Sequence, residues 1–237
     1  MVWGFSEFAS RRPAQPNSSY NQIAMLLYYV TDRRSFPGSD AEQRAAVLRR
    51  IAAAARAGVD YIQLREKDLD PADLELLARE ALHVTRENSA VTKLLINSRV
   101  DVALAVGADG VHLPADSPPV STIRADWLRQ SEREPLIGVS AHTIGDVEQA
   151  EADGASFAVL APIFEKVGTG ATGMGRDVLR EACASAHIPV LALGGVNLAN
   201  ARDCLDAGAA GIAGIRLFQQ GDVAETVRKL REFPTGI

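Results

Sequence analysis

The chain has 237 residues, 47% of them apolar and 5% aromatic, with a formal charge of −5. That length fits one large α/β domain, and the scarcity of aromatics leaves Val, Ile, Leu and Ala to fill its core. The acidic balance disfavours nucleic acid or an anionic membrane as a partner, although a small phosphate ester needs only a local positive pocket.

Residues 1–22, with Arg11, Arg12, Pro13 and Pro16, read as an irregular extension without the apolar segment of a secretory signal. Residues 23–237 read as the folded domain. Within it, short apolar runs fall at 25–31, 61–64, 93–97, 110–113, 136–139, 157–161, 190–193 and 211–215. Each is nearly continuous in hydrophobicity, as in parallel strands buried on both faces. Ala, Leu, Arg and Glu at helical spacing predict helices between them, among them 41–57, 71–87, 143–152 and 198–207. This α/β alternation predicts a single (β/α)8 TIM barrel, with an open doubly wound sheet as the alternative. Gly58, Gly107, Gly154 and Gly208 each sit between a helix and a strand, where a left-handed glycine stops the helix. They recur every second βα unit, a modest internal repeat. Cys183 and Cys204, far apart and outside any paired motif, read as buried reduced thiols. No apolar run approaches the roughly 18 residues of a membrane span. The expectation is a soluble cytoplasmic protein, compatible with a homo-oligomer.

Catalytic groups of such a barrel project from the C-terminal ends of the strands. Gly194 and Gly195 follow the seventh run, while Gly214, Ile215 and Arg216 end the eighth. Together they suit a phosphate held by backbone N–H groups and a guanidinium. Gly173 and Gly175, in the glycine-rich stretch 168–175, extend that cradle; otherwise the stretch is a surface loop. Arg65 and Lys67, alternate residues at the end of the second run, either face the mouth as a second anion site or pair with Glu66 and Asp68. His142, just past the fifth run, suits proton transfer near neutrality, and equally suits a loop position beside an N-cap formed by Thr143 and Asp146. His83 and His187 read as structural, and His112 as intermediate. No metal site stands out: Asp32, Glu66, Asp116 and Glu165 come from different loops without ligand spacing.

The segments Tyr29-Val-Thr-Asp32, Ile62-Gln-Leu-Arg-Glu-Lys67, Leu95-Ile-Asn-Ser-Arg-Val-Asp101 and Gly107-Ala-Asp-Gly-Val-His-Leu113 occur in that order. Ile137-Gly-Val-Ser-Ala-His-Thr143, Ala161-Pro-Ile-Phe164 and Pro189-Val-Leu-Ala-Leu-Gly-Gly195 follow. The series resembles the thiamin phosphate synthase/TenI family from about residue 25 to 230. The resemblance implies a thiazole phosphate as substrate. A synthase of this family joins hydroxymethylpyrimidine pyrophosphate to it with Mg²⁺, releasing pyrophosphate; TenI instead tautomerises a carboxylated thiazole phosphate. Gln63, Arg65 and Lys67 match the synthase's pyrophosphate-holding segment, and Asn97 and Ser140 fall at further binding positions. His142 matches the acid/base histidine that resemblance to TenI implies.

The departures lie at the metal. Where the synthase pattern has aspartates, this chain has Ser98 and, unless Asp116 substitutes, Ser117; two hydroxyls do not replace two carboxylates in charge. The Thr-Pro-Thr-Lys loop expected after the sixth strand is replaced by Phe164-Glu-Lys-Val and glycines, as in TenI. A serine of the family's strand-eight phosphate site is replaced by Arg216. The expectation is therefore a metal-independent thiazole tautomerase using His142 and no cofactor. The alternatives are a Mg²⁺-dependent thiamin phosphate synthase and a non-catalytic binder of a thiazole or thiamin phosphate.

Overall fold

The computed structural model describes residues 25–165 and 172–233. The extension expected at 1–22 and residues 166–171, which include the first half of the glycine-rich stretch, lie outside the described residues. Eight strands run in chain order: β1 (Leu26–Val30), β2 (Tyr61–Leu64), β3 (Lys93–Asn97), β4 (Gly110–Leu113), β5 (Leu136–Ala141), β6 (Phe157–Leu160), β7 (Val190–Ala192) and β8 (Gly211–Gly214). Each pairs in parallel with the next, and β8 closes on β1. Helices α1 (Asp40–Ala57), α2 (Pro71–Asn88), α3 (Val100–Val106), α4 (Val120–Leu128), α5 (Ile144–Ala152), α6 (Gly175–Ser185) and α7 (Ala201–Asp206) fill the crossovers. A single extra turn, α8 (Arg216–Gln219), precedes the last helix, α9 (Val223–Arg231). The architecture is the expected (β/α)8 barrel.

The continuous apolarity of the strands resolves into two faces because successive side chains point to opposite sides. Leu27, Tyr29, Ile62, Leu64, Leu94 and Ile96 belong to the larger core, shared with the helices. Tyr28, Leu95, Phe157, Val159, Leu191 and Ala213 form a separate cluster that fills the barrel.

The glycine repeat has a structural counterpart. Gly58, Gly107, Gly154 and Gly208 all adopt positive φ, from 69° to 97°. Two residues beyond the glycine, a side chain then clamps the neighbouring strand. Asp60 accepts from the Leu27 amide at 2.7 Å, Asp109 from Leu94 at 2.9 Å, and Ser156 from Ile137 at 3.0 Å. The fourth unit has Ala210 there and no such side chain.

Most boundaries shift by a residue or so, and three differences bear on the site or its surroundings. The fifth strand continues two residues beyond 139, which puts Ser140 within β5. The helix expected from Thr143 starts at Ile144, because Thr143 is its N-cap. The helix expected over 198–207 is only Ala201–Asp206. Asn197 and Asn200 side chains accept the amides of Ala199 and Asn197, each at 2.8 Å, and hold that stretch in turns. Cys204 is buried but Cys183 only half-buried; both are free, with thiols pushed by burial up to about 12 and about 11. Among the described residues no helix is long and apolar enough to cross a membrane.

Candidate active site

The alternation that fills the barrel with Tyr61, Leu95 and Leu136 puts Gln63, Asn97 and Ser140 on the same inner side nearer the mouth, the first two by one pleat and Ser140 by two, past Gly138. His112 joins them from β4, where it lies in register with Asn97 and Gly138. Gln63 is 2% exposed, and its amide nitrogen has no hydrogen-bond partner among the described residues. Such a buried donor costs about 1–3 kcal/mol when unpaired, so it marks a place prepared for an acceptor.

Past β2 the same period sends Arg65 and Lys67 one way and Glu66 the other. Glu66 is buried, accepting the Thr31 hydroxyl at 2.6 Å and the Arg33 amide at 3.0 Å. The Arg33 guanidinium lies 3.6 Å from Glu66 and 2.7 Å from both Asp68 and Asp40. Thr31 also accepts the Arg65 amide, fixing the turn out of the strand. The nearby carboxylates are thereby engaged by Arg33. Neither Arg65 nor Lys67 forms an ion pair among the described residues, so the pairing with Glu66 and Asp68 held open from the sequence is not what occurs.

His142 is exposed, and its two sequence-based readings coexist. Thr143 and Asp146 form a capping box, and Asp146 also accepts the His142 amide at 2.7 Å. The ring nitrogen Nδ1 lies 2.8 Å from the Ala161 carbonyl. A carbonyl only accepts, so neutral His142 carries its proton on Nδ1 and leaves Nε2 as a base.

His112, ranked only intermediate from the sequence, proves central. It is 5% exposed, its Nδ1 lies 3.1 Å from the Tyr28 hydroxyl, and its Nε2 lies 2.9 Å from Ser140 Oγ. Burial, and then the charge of Arg65, hold its pKa down to about 3. The available signal was phase: His112 follows Gly110 at period two on the inner face of an otherwise apolar strand. A depressed histidine pKa contributes stability present above the unfolded value near 6.5, and that contribution is lost as pH falls towards 3. Denaturant titrations should therefore show about 1 kcal/mol less stability at pH 5.5 than at pH 7 from this residue. His112→Gln should remove that difference; an unchanged slope would refute the assignment.

Strands β6, β7 and β8 end in the glycine rim. Gly194 has φ 93°, and a Cβ there would stand 2.6 Å from Pro162 Cα. Its carbonyl accepts the Phe164 amide at 2.9 Å, while the Gly194 and Gly195 amides donate to no backbone carbonyl among the described residues. Gly173 packs equally tightly, since its Cβ would meet the Ile163 oxygen at 2.5 Å. The Gly175 amide donates to that same oxygen at 3.0 Å, so Gly175 shapes the rim rather than offering an amide. Gly194→Ala should cost about 2–4 kcal/mol, from left-handed strain plus the clash, read as a drop in the urea midpoint. Beyond Gly214 and Ile215, the turn α8 begins with exposed Arg216. Gln219 pins α8, accepting from the Tyr29 hydroxyl at 2.9 Å and donating to the Asp32 carbonyl at 2.6 Å. Sequence reading missed this buried glutamine, which nothing local distinguishes from a surface residue.

The donor set does not fit the Mg²⁺ that a synthase of this kind implies. Ser98 is exposed with φ 60°, in line for a hydrogen bond from the Asn97 amide at 3.0 Å, and Ser117 donates to the Pro118 carbonyl. Asp116 is exposed, and no three metal-ligating side chains cluster among the described residues. A hard cation needs carboxylate oxygens that these serines do not supply.

Fold and mouth together define the class: a (β/α)8 barrel whose cationic, glycine-rimmed mouth suits anionic ligands. The family model described as thiamine monophosphate synthase (TMP-TENI) matches residues 27–218, and the chain belongs to this family. It is 42% identical over 212 residues to a putative thiamine-phosphate synthase of Geobacter sulfurreducens, covering 88% of this chain and 94% of that one. It is 39% identical over 193 residues to putative thiamine-phosphate synthase 2 of Aquifex aeolicus, covering 81% and 96%. Among solved structures, it resembles the thiamine phosphate pyrophosphorylase from Pyrococcus furiosus, with a TM-score of 0.74 at 30% identity, covering 89% and 96%.

Proposed function

We propose that the protein is a thiamine-phosphate synthase, coupling a hydroxymethylpyrimidine pyrophosphate to a thiazole phosphate. The observation that carries this reading is that Arg65 and Lys67, and the buried amide of Gln63, have no partners among the described residues. A pyrophosphate supplies the charge those two cations lack, and the pyrimidine supplies an acceptor for Gln63. The names of the relatives favour coupling over the tautomerase expected from the sequence.

In this reading Gln63, Arg65 and Lys67 hold the pyrimidine substrate, with Asn97 and Ser140 contacting it from β3 and β5. Gly173, Gly194, Gly195, Gly214, Ile215 and Arg216 hold the phosphate of the thiazole, and Gly175 shapes their rim. The bond from the pyrimidine's methylene carbon to oxygen breaks, and pyrophosphate leaves with the electron pair. The thiazole nitrogen donates its lone pair to that carbon. Arg65 and Lys67 stabilise the charge that accumulates on the leaving oxygens, where fixed cations contribute most.

A second reading, thiazole tautomerisation, is favoured by Ser98 and Ser117 at the metal positions and by the basic Nε2 that His142 keeps while Nδ1 donates to the Ala161 carbonyl. Proton transfer at a ring carbon needs that base and no cation. The deciding experiment measures pyrophosphate release from the two substrates with Mg²⁺, using the native protein and Lys67→Ala. Release that depends on Lys67 supports coupling. Folded protein without release, but with tautomerisation lost in His142→Ala, supports the second reading. Ligand binding with neither activity supports a non-catalytic binder.

A further inference from the structure

The polar chain Tyr28–His112–Ser140 runs from the barrel's interior to its mouth; only its outer end, Ser140, enters the reading above, and Tyr28 and His112 do not. Tyr28 is fully buried, and its hydroxyl lies 3.1 Å from His112 Nδ1; the other polar side chain beside it, the amide of Gln63, acts on it as a donor and leaves Nδ1 as its acceptor. The imidazole is caged by Tyr28 and Phe157, with ring centroids 5.7 and 6.3 Å away. Gly138, opposite on β5, leaves room for it: a Cβ there would stand 2.9 Å from Nδ1. The ring is therefore held in one place, and its two nitrogens have distinct partners.

A buried phenol must donate its proton, because an unmet donor in the barrel core is costly. Tyr28 donates to Nδ1, which fixes the neutral ring with its proton on Nε2. Nε2 then donates to Ser140 Oγ, 2.9 Å away. With that lone pair occupied from below, the hydroxyl proton of Ser140 is left for an acceptor in the mouth. We propose that His112 is a positioning residue that, set by Tyr28, makes Ser140 a hydrogen-bond donor to an anionic oxygen of the ligand. The inference rests on an anion occupying the mouth, as in the proposed function, but not on which reaction follows.

The first test reads the tautomer in ligand-free protein by long-range ¹H–¹⁵N NMR of the histidine rings. His112 should show a protonated Nε2 and a bare Nδ1, unchanged from about pH 7.5 down to about pH 5. Tyr28→Phe, which removes only the phenol oxygen, should shift the ring towards protonation on Nδ1. A native ring protonated on Nδ1, or one that becomes doubly protonated in that range, overturns the proposal. The second test measures binding of inorganic pyrophosphate and inorganic phosphate by calorimetry. His112→Leu should weaken the anion that binds by about tenfold, the equivalent of one hydrogen bond to a charged group. His112→Gln, whose amide can donate from near the Nε2 position, should stay within about twofold of native. Equal affinity in native protein and folded His112→Leu, or no binding of either anion by native protein, also overturns it. Because the tautomer is read without ligand, a failed coupling assay leaves that arm intact and separates the two hypotheses.

Discussion

Arg65→Ala should lower kcat/KM for pyrophosphate release about 100-fold while leaving the fold intact. The side chain is half-buried and unpaired among the described residues, so its removal exposes no carboxylate. Its backbone stays fixed by Thr31, whose oxygen accepts the Arg65 amide at 3.0 Å. What is lost is a fork of donors against the leaving group, each charge-assisted bond contributing about 1.5–3 kcal/mol. Arg65→Lys should restore only part of the rate, since an ammonium cannot bind two oxygens in the same plane. Steady-state kinetics of the three proteins check this. In the same assay His142→Ala should change little, whereas a tautomerase would lose about 10²–10⁴-fold through His142 and be nearly indifferent to Arg65. Equal rates in native protein and Arg65→Ala would remove the leaving-group role.

Glu66→Ala should destabilise the protein by about 3–5 kcal/mol, a large share of a typical domain's stability. Burial pushes the Glu66 carboxyl up from its ordinary pKa, against the hydrogen bond from Thr31 and the amide and charge of Arg33. Truncation leaves the Arg33 amide and the Thr31 hydroxyl without their acceptor, and removes one of the carboxylates around a guanidinium that is only 5% exposed. The guanidinium keeps Asp40 and Asp68, so the cost lies mainly in the two buried donors left without an acceptor, each about 1–3 kcal/mol. Urea denaturation followed by circular dichroism reads the effect. A loss below about 1 kcal/mol would mean that the turn carrying Arg65 and Lys67 is held by other contacts.

The barrel was legible because each crossover repeats the same local physics. Apolar runs of strand length, capping residues such as Thr143 with Asp146, and glycines that end helices all act within a few residues of chain. The mouth residues Gln63, Arg65 and Lys67 were legible for the same reason, since a period of two fixes which side chains share a face. The sequence could not say where the carboxylates beside them go, because the partner of Glu66 is Arg33, which arrives from a different βα unit. Gln219 was hidden likewise: its partners Tyr29 and Asp32 lie more than 180 positions away.

What the sequence determined by itself is thus the fold, the family likeness and the set of polar groups at the strand ends. Only the closed barrel decided how those groups are used. It leaves Arg65 and Lys67 without carboxylate partners among the described residues, makes His142 Nε2 the basic nitrogen by tying Nδ1 to the Ala161 carbonyl, and threads Tyr28, His112 and Ser140 into one chain. Each of those outcomes depends on atoms from different strands meeting within about 3 Å, the range over which a hydrogen bond selects its partner.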